Sequence, residues 1–342
     1  MNSKAVMHAA LAGREVSRPA VGSGTSVVTT DLMDDLGVGF PEAHQNADAM
    51  AELAAAGHSW LGFDNVMPLF SVWHESAALG CEVDWGSRRL MPTCARHLLD
   101  DIREQPVIPD DLLERAGCAV PLKALALLRR RFGNGVAVTG KVFGPWTLAY
   151  HVYGIENFLM ATLTDPDAVL AALRGLLPVT LRFARAQIEA GADSLTLADH
   201  CTRDLCAPAA YRTFLKPLHT EIKRSLSVPL ILHICGDTSD RIADIAETGI
   251  DCFHFDSKVP AATARRLAGT HLKLMGGTSN LTTVLAGSDA DINADILEKR
   301  AAGVDILGPE CAVPLNASWK RLQKFTNRAK HAGANAGKSA AS

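Results

Sequence analysis

A chain of 342 residues, 48% hydrophobic and 21% charged, carries enough apolar side chains to bury a large core, which excludes an intrinsically disordered protein. With 34 Lys and Arg against 37 Asp and Glu the net charge is −3, so composition gives no broad electrostatic reason to expect nucleic acid as a partner. The Ala-rich start MNSKAVMHAALAGREV lacks the apolar centre of a signal peptide, no run approaches the roughly 20 apolar residues of a membrane span, and the eight cysteines are too sparse for a disulfide framework; a soluble, cytoplasmic protein with free thiols is expected.

Taken in chain order, an N-terminal extension leads to β-type runs at residues 25–29 (TSVVT) and 61–65 (LGFDN). Between residues 69 and 120 the pattern breaks down around EVDWGSRRLMPTCARH, which reads as an irregular insertion after the second strand, of the kind that forms a lid or rim. Regular alternation resumes with residues 136–140 (VAVTG). Asp165 and Pro166 then stand where an N-cap and first helical residue belong, before an apolar-periodic run through Leu177. Further β-type runs follow at 194–198 (SLTLA) and 230–234 (LILHI). Thr238, Ser239 and Asp240 precede a short helical stretch that Gly249 is expected to close. The last three runs lie at 252–256 (CFHFD), 273–277 (KLMGG) and 305–308 (DILG). Eight strands alternating with helices predict a single α/β unit, a closed (β/α)8 TIM barrel over residues 1–330. The small, polar residues 331–342 are expected to be a frayed tail.

His233 and Cys235 are two apart at the end of a predicted strand, so both side chains share one face at the end of a barrel where active sites are built. Cys311 follows the eighth strand and opens onto the same mouth. An imidazole and two thiols are natural zinc ligands, and three protein ligands leave the open fourth position of a catalytic ion. Asp199, at the end of the fourth strand, reads equally as a substrate-binding group or a helix cap, and His200 as part of the substrate funnel. His200, Cys201 and Cys206 form a second ligand-type group, but the spacing of its cysteines is not a standard zinc pattern. Gly276 and Gly277 stand before Thr278, Ser279 and Asn280, which could grip an anionic group or simply form a tight turn. Arg88 and Arg89 read as a solvated pair, and Trp73, Trp85 and Trp146 as ordinary packing as readily as a cofactor face.

LHICGDT, FHFDSK, MGGTSN and GPECAVP together resemble the zinc methyltransferases of the uroporphyrinogen decarboxylase superfamily, most of all its methylcobalamin:coenzyme M methyltransferase group. The likeness extends to TSVVTTDLMDDLGVGFPEAHQNADAMAELAAAGH, KVFGPWTLAYHVYGIENFLMATLTDPDAV and IEAGADSLTLAD, so it covers nearly the whole chain. It implies that zinc held by His233, Cys235 and Cys311 activates a thiol such as coenzyme M to take a methyl group from a methylated corrinoid. No Asp-x-His-x-x-Gly pattern is present, so the cobalamin is expected on a separate corrinoid protein, docked in part against residues 143–153. Members of the group carry glutamates before the lysine matched by Lys258, one of them an exchangeable zinc ligand; Asp256 and Ser257 stand here instead, and Asp256 is the candidate for that role. The sequence after Asp199 also departs from the group, which leaves homocysteine, another small thiol and tetrahydrofolate open as acceptors. Two other readings are a uroporphyrinogen decarboxylase-type lyase, whose propionate-binding arginines are missing from SGTSVVTTDLMDDLG, and a non-catalytic zinc or corrinoid sensor.

Overall fold

The computed structural model describes residues 1–332 and contains eight parallel strands: β1 (Ala20–Val21), β2 (Asn65–Val66), β3 (Ala137–Phe143), β4 (Ser194–Ala198), β5 (Leu230–His233), β6 (Cys252–Phe255), β7 (Lys273–Thr278) and β8 (Ile306–Pro309). They lie side by side in the order β1–β8–β7–β6–β5–β4–β3–β2, the cyclic order of a (β/α)8 barrel. Every residue of β3, β4, β5, β6 and β8 is buried, as strands covered on both faces must be, which explains their continuous apolar runs.

The barrel is joined differently at its seam. β1 and β2 are two residues each, and side chains take the place of a ladder between them. Asp64 N–H donates to Val21 O at 2.7 Å, and Val21 N–H donates back to Asp64 Oδ2 at 2.9 Å. Asn65 accepts from Ser23 N–H (3.0 Å) and donates to Ser23 O (2.8 Å) and Thr139 Oγ1 (3.0 Å), tying both edges to β3. Arg18 grips the two Asp64 oxygens at 2.8 and 2.7 Å, and Lys330 Nζ lies 3.4 Å from Asp64 Oδ1.

The first helix, Ser3–Leu11, is capped by Asn2, whose side chain accepts from Ala5 N–H at 2.9 Å. It packs Val6, Met7, Ala10 and Leu11 against Ala20, Ala137, Ile231, Cys252, Met275 and Ile306. These lie at or near the starts of their strands, so the helix plugs one end of the barrel and the other end is left for a site.

The expected strands from the third to the eighth coincide with β3 to β8 within a few residues, and the run expected at 61–65 ends where β2 begins. Residues 25–29 are not a strand. Ser23 and Thr25 make a local turn, with Thr25 N–H donating to Ser23 Oγ, and Thr29 caps the helix Thr30–Leu36; local hydroxyl bonding wins over β-propensity. The irregular insertion holds a helix, His74–Leu79, and an antiparallel hairpin of Glu82–Asp84 with Thr93–Arg96. Asp165 caps Pro166–Glu189, accepting from Ala168 N–H at 3.2 Å, and this helix continues beyond Leu177. The cap expected at Thr238–Asp240 is not made: the helix is only Ile242–Ala246, its N-cap is Arg241, and Ser239 bonds to Asp237 instead. Of the expected tail, His331 ends the last helix, Trp319–His331, and residues 333–342 lie outside the described residues. No helix among the described residues is long and apolar enough to cross a membrane.

Candidate metal centre and its pocket

His233 is the last residue of β5, Cys235 lies two residues on, and Cys311 lies two residues beyond β8. Their donor atoms converge: His233 Nε2 is 3.0 Å from Cys235 Sγ and 3.4 Å from Cys311 Sγ, and the sulfurs are 2.9 Å apart. His233 Nδ1–H donates to His254 O at 3.2 Å, which leaves the Nε2 lone pair facing the sulfurs. Such a closed triangle of one imidazole nitrogen and two sulfurs is the only His, Cys, Asp and Glu group with ligand geometry among the described residues.

The two thiols share their protons unequally. The hydrogen bond from Cys235, with help from His233, holds the Cys311 thiol well below its ordinary range, whereas the same contact and burial push Cys235 up. A divalent cation in the triangle would displace the protons the thiols retain and hold both sulfurs as thiolates. Two thiolates and a neutral imidazole with one side open to a pocket fit zinc, and His233, Cys235 and Cys311 would hold it.

The surrounding polar groups brace this triangle. Asp256 does not join it; its Oδ2 accepts from Gly236 N–H (2.8 Å) and its Oδ1 from Lys258 N–H (2.9 Å). Gly236 has φ +85°, and a Cβ there would meet Thr202 Oγ1 at 2.4 Å, so the turn after Cys235 requires glycine. Glu310 accepts from Ser257 N–H (3.0 Å) and Asn280 N–H (2.7 Å). Asn280 in turn donates to Cys311 O (3.3 Å) and Ala312 O (2.9 Å), so it fixes the backbone that carries the third ligand. In the neighbouring loop considered for an anion grip the side chains are engaged in packing and local hydrogen bonds, save Asn280 Oδ1, an acceptor that would repel an anion. Gly276 and Gly277 pack against His254 and Phe255, Thr278 bonds to Asp295, and Ser279 caps the following turn.

Above the triangle lies a cavity of about 210 Å³. Asp199 and His200 both line it. Asp199 is fully engaged, with Oδ1 accepting from Thr147 N–H and Oγ1 (2.8 and 3.1 Å) and Oδ2 2.9 Å from His219 Nε2, so from the end of β4 it holds the first turn of the helix Pro145–Tyr153 that follows the adjacent β3. That helix stands where residues 143–153 were expected as docking loops; it is buried except at Tyr150, and Thr147 and Tyr150 line the cavity. Cys201 and Cys206 are buried and take no part in a ligand group; their carbonyls accept from Arg241. Arg88 pairs with Asp34 at the surface, and Trp73 and Trp85 stack on His151 and His44, away from the cavity.

Two charged residues that no sequence motif marks complete the site. Lys141, on β3, is 4% exposed and lines the cavity, and burial pulls its pKa down to about 8. Glu75 is fully buried; its Oε1 accepts from Phe143 N–H at 2.8 Å, its Oε2 has no partner, and burial pushes its pKa up to about 7. A charged residue inside a run as apolar as VAVTGKVF was the available sign for Lys141.

The chain matches the uroporphyrinogen decarboxylase (URO-D) family over residues 2–332. It is 30% identical over 307 residues to the methylcobamide:CoM methyltransferase MtaA of Methanosarcina barkeri, covering 89% of this chain and 91% of that one. It is also 30% identical over 323 residues to the methylated-thiol–coenzyme M methyltransferase of Methanosarcina mazei, covering 94% and 87%. Among solved structures, a methyltransferase from Methanosarcina mazei superposes with a TM-score of 0.93 at 29% identity, covering 97% of this chain and 99% of that one. These full-length likenesses bear out both the barrel and the methyltransferase resemblance, and the chain belongs to the uroporphyrinogen decarboxylase (URO-D) family.

Proposed function

We propose that the protein transfers a methyl group from a methylated corrinoid, presented by a separate corrinoid protein, to a small thiol bound at zinc held by His233, Cys235 and Cys311. The observation that carries this reading is the convergence of those three donor atoms on the floor of a pocket with room for one more ligand. Zinc supplies the Lewis acidity that keeps an incoming thiol deprotonated at neutral pH, where a free thiol with a pKa of about 8.5 is mostly protonated.

The chain's own residues do the rest. His233 is held in orientation because its Nδ1–H is committed to His254 O. Phe70, Phe143 and Tyr150 give the cavity mainly apolar walls, which restrict water around the sulfur and favour its nucleophilic form. A cavity of about 210 Å³ admits a short thiol, whereas a corrin macrocycle must stay at the mouth with its methyl group pointing in. There the insertion offers Val72 and Met91, both partly exposed and both lining the entrance, with exposed Leu90 beside Met91. As the carbon–sulfur bond forms, the cobalt–carbon bond breaks and its electron pair remains with the corrinoid, so the reaction needs no external oxidant or reductant.

Metal analysis of the purified protein together with thiol-dependent demethylation of methylcobalamin tests the reading. About one zinc per chain is expected for the wild type, with both metal and turnover lost in Cys235→Ser and in Cys311→Ser. Undiminished methyl transfer by a protein stripped of divalent ions would overturn it. A panel of small thiols, homocysteine and tetrahydrofolate in the same assay identifies the acceptor.

A further inference from the structure

We infer that Lys141 is the residue that selects the methyl acceptor, by binding an acidic group, a sulfonate or carboxylate, at the end of the thiol remote from its sulfur. The inference rests on the thiol-transfer reading above but on a separate observation. Lys141 sits in β3 with its backbone clamped by Gln187, which accepts from Lys141 N–H (2.9 Å) and donates to Lys141 O (2.8 Å). Its ammonium has no hydrogen-bond or ion-pair partner among the described residues. The contact it does make is with a ring face, 5.4 Å from the centre of Phe143.

Burying an unpartnered ammonium is costly, and a fold keeps one where something else pairs with it. The charged groups that face it are Glu75, Cys311 and Cys235. Glu75 lies beyond ion-pair distance and spends one oxygen on Phe143 N–H. The two cysteines are balanced once a divalent ion joins them, because two thiolates and a neutral imidazole cancel its charge. Glu75 Oε2 has no partner of its own, but no internal carboxylate among the described residues stands within ion-pair distance of Lys141. The ligand triangle comes from β5 and the segment after β8, and Lys141 from β3, yet all four side chains line the same small cavity. A short molecule with sulfur at one end and an acid at the other would bridge them, and the fixed charge would set both its orientation and its reach.

The alternative role for the same ammonium is to neutralise the acceptor's own thiolate, which would help every thiol equally. Two experiments on the zinc-loaded protein separate the roles. In kinetics with methylcobalamin, the wild type is expected to show a KM about tenfold or more lower for 2-mercaptoethanesulfonate and 3-mercaptopropionate than for neutral 2-mercaptoethanol. In Lys141→Met the ratio of kcat/KM between acidic and neutral thiols is expected to collapse toward one, and Lys141→Arg to restore part of it. Equal KM values in the wild type, or an equal loss for all three thiols in Lys141→Met, overturn the proposal; the wild-type comparison decides even where the variant does not fold. In calorimetry, ethanesulfonate, which has no thiol, is expected to bind the wild type and to lose about tenfold or more in Lys141→Met. That arm needs no turnover. If no thiol accepts a methyl group but ethanesulfonate still binds through Lys141, the transfer reading fails and the anion site stands; if transfer proceeds without acid selectivity, the transfer reading stands and the anion site is overturned.

Discussion

The three ligand residues depend on neighbours that never touch the metal position. Asp256 holds the turn after Cys235 through Gly236 N–H, and Glu310 and Asn280 hold the backbone of Cys311. Loss of such outer contacts typically weakens metal binding by about 10–100-fold without abolishing it. Asp256→Ala should therefore keep its zinc but yield it to a chelator at about 10–100-fold lower competitor concentration, whereas complete metal loss on the scale of Cys235→Ser would mark Asp256 as a ligand. The triangle was legible in the sequence because a two-residue spacing on a strand puts His233 and Cys235 on one face, and the end of the eighth strand brings Cys311 to the same mouth. The braces were not legible: an aspartate or asparagine that binds backbone N–H or C=O groups looks, in one dimension, the same as one that binds substrate. Lys141 escaped because the run read as a strand stopped at Gly140, although β3 continues to Phe143.

Strands three to eight announced themselves through length and continuous apolar character, while the first two did not, since two-residue strands carry no period. What makes up for their brevity is Asp64. Its side chain is fully buried, and its pKa is lowered: burial pushes it up, but Arg18, Lys330 and Val21 N–H outweigh that. Asp64→Asn would leave the partly exposed Arg18 without its counter-charge, a loss of about 1–3 kcal/mol measurable as a lower urea midpoint. The sign of the pH effect follows from the lowered pKa. The stabilisation is complete above the unfolded carboxyl value of about 3.9 and is lost as pH falls through the lower folded one. Acid titration of stability should therefore show a loss below about pH 4 that is smaller in Asp64→Asn.

For the whole molecule, one end of the barrel is plugged by the first helix and the other carries the pocket, so exchange with a large partner is confined to a single face. The insertion after the second strand was expected to form a lid or rim, and it places Val72, Leu90 and Met91 partly or largely exposed at or beside that entrance. If a corrin or its carrier rests there, charge at these positions should interfere with docking and not with the metal. The double variant Leu90→Asp, Met91→Asp should raise the KM for methylcobalamin several-fold while zinc content stays at the wild-type level; an unchanged KM would place the docking surface elsewhere.

Asp64 also ties together parts of the chain that are made far apart in time. Arg18 precedes Lys330 and the helix that carries it by some three hundred residues of chain; that helix also anchors itself through Gln323, which donates to Trp60 O at 2.8 Å. Until β8 and Lys330 have been made, the nascent polypeptide holds β1 without its neighbour in the sheet and Asp64 with only one of its two cations. Circularisation of the sheet is thus a late event, and the seam should be the place where an incomplete chain remains open.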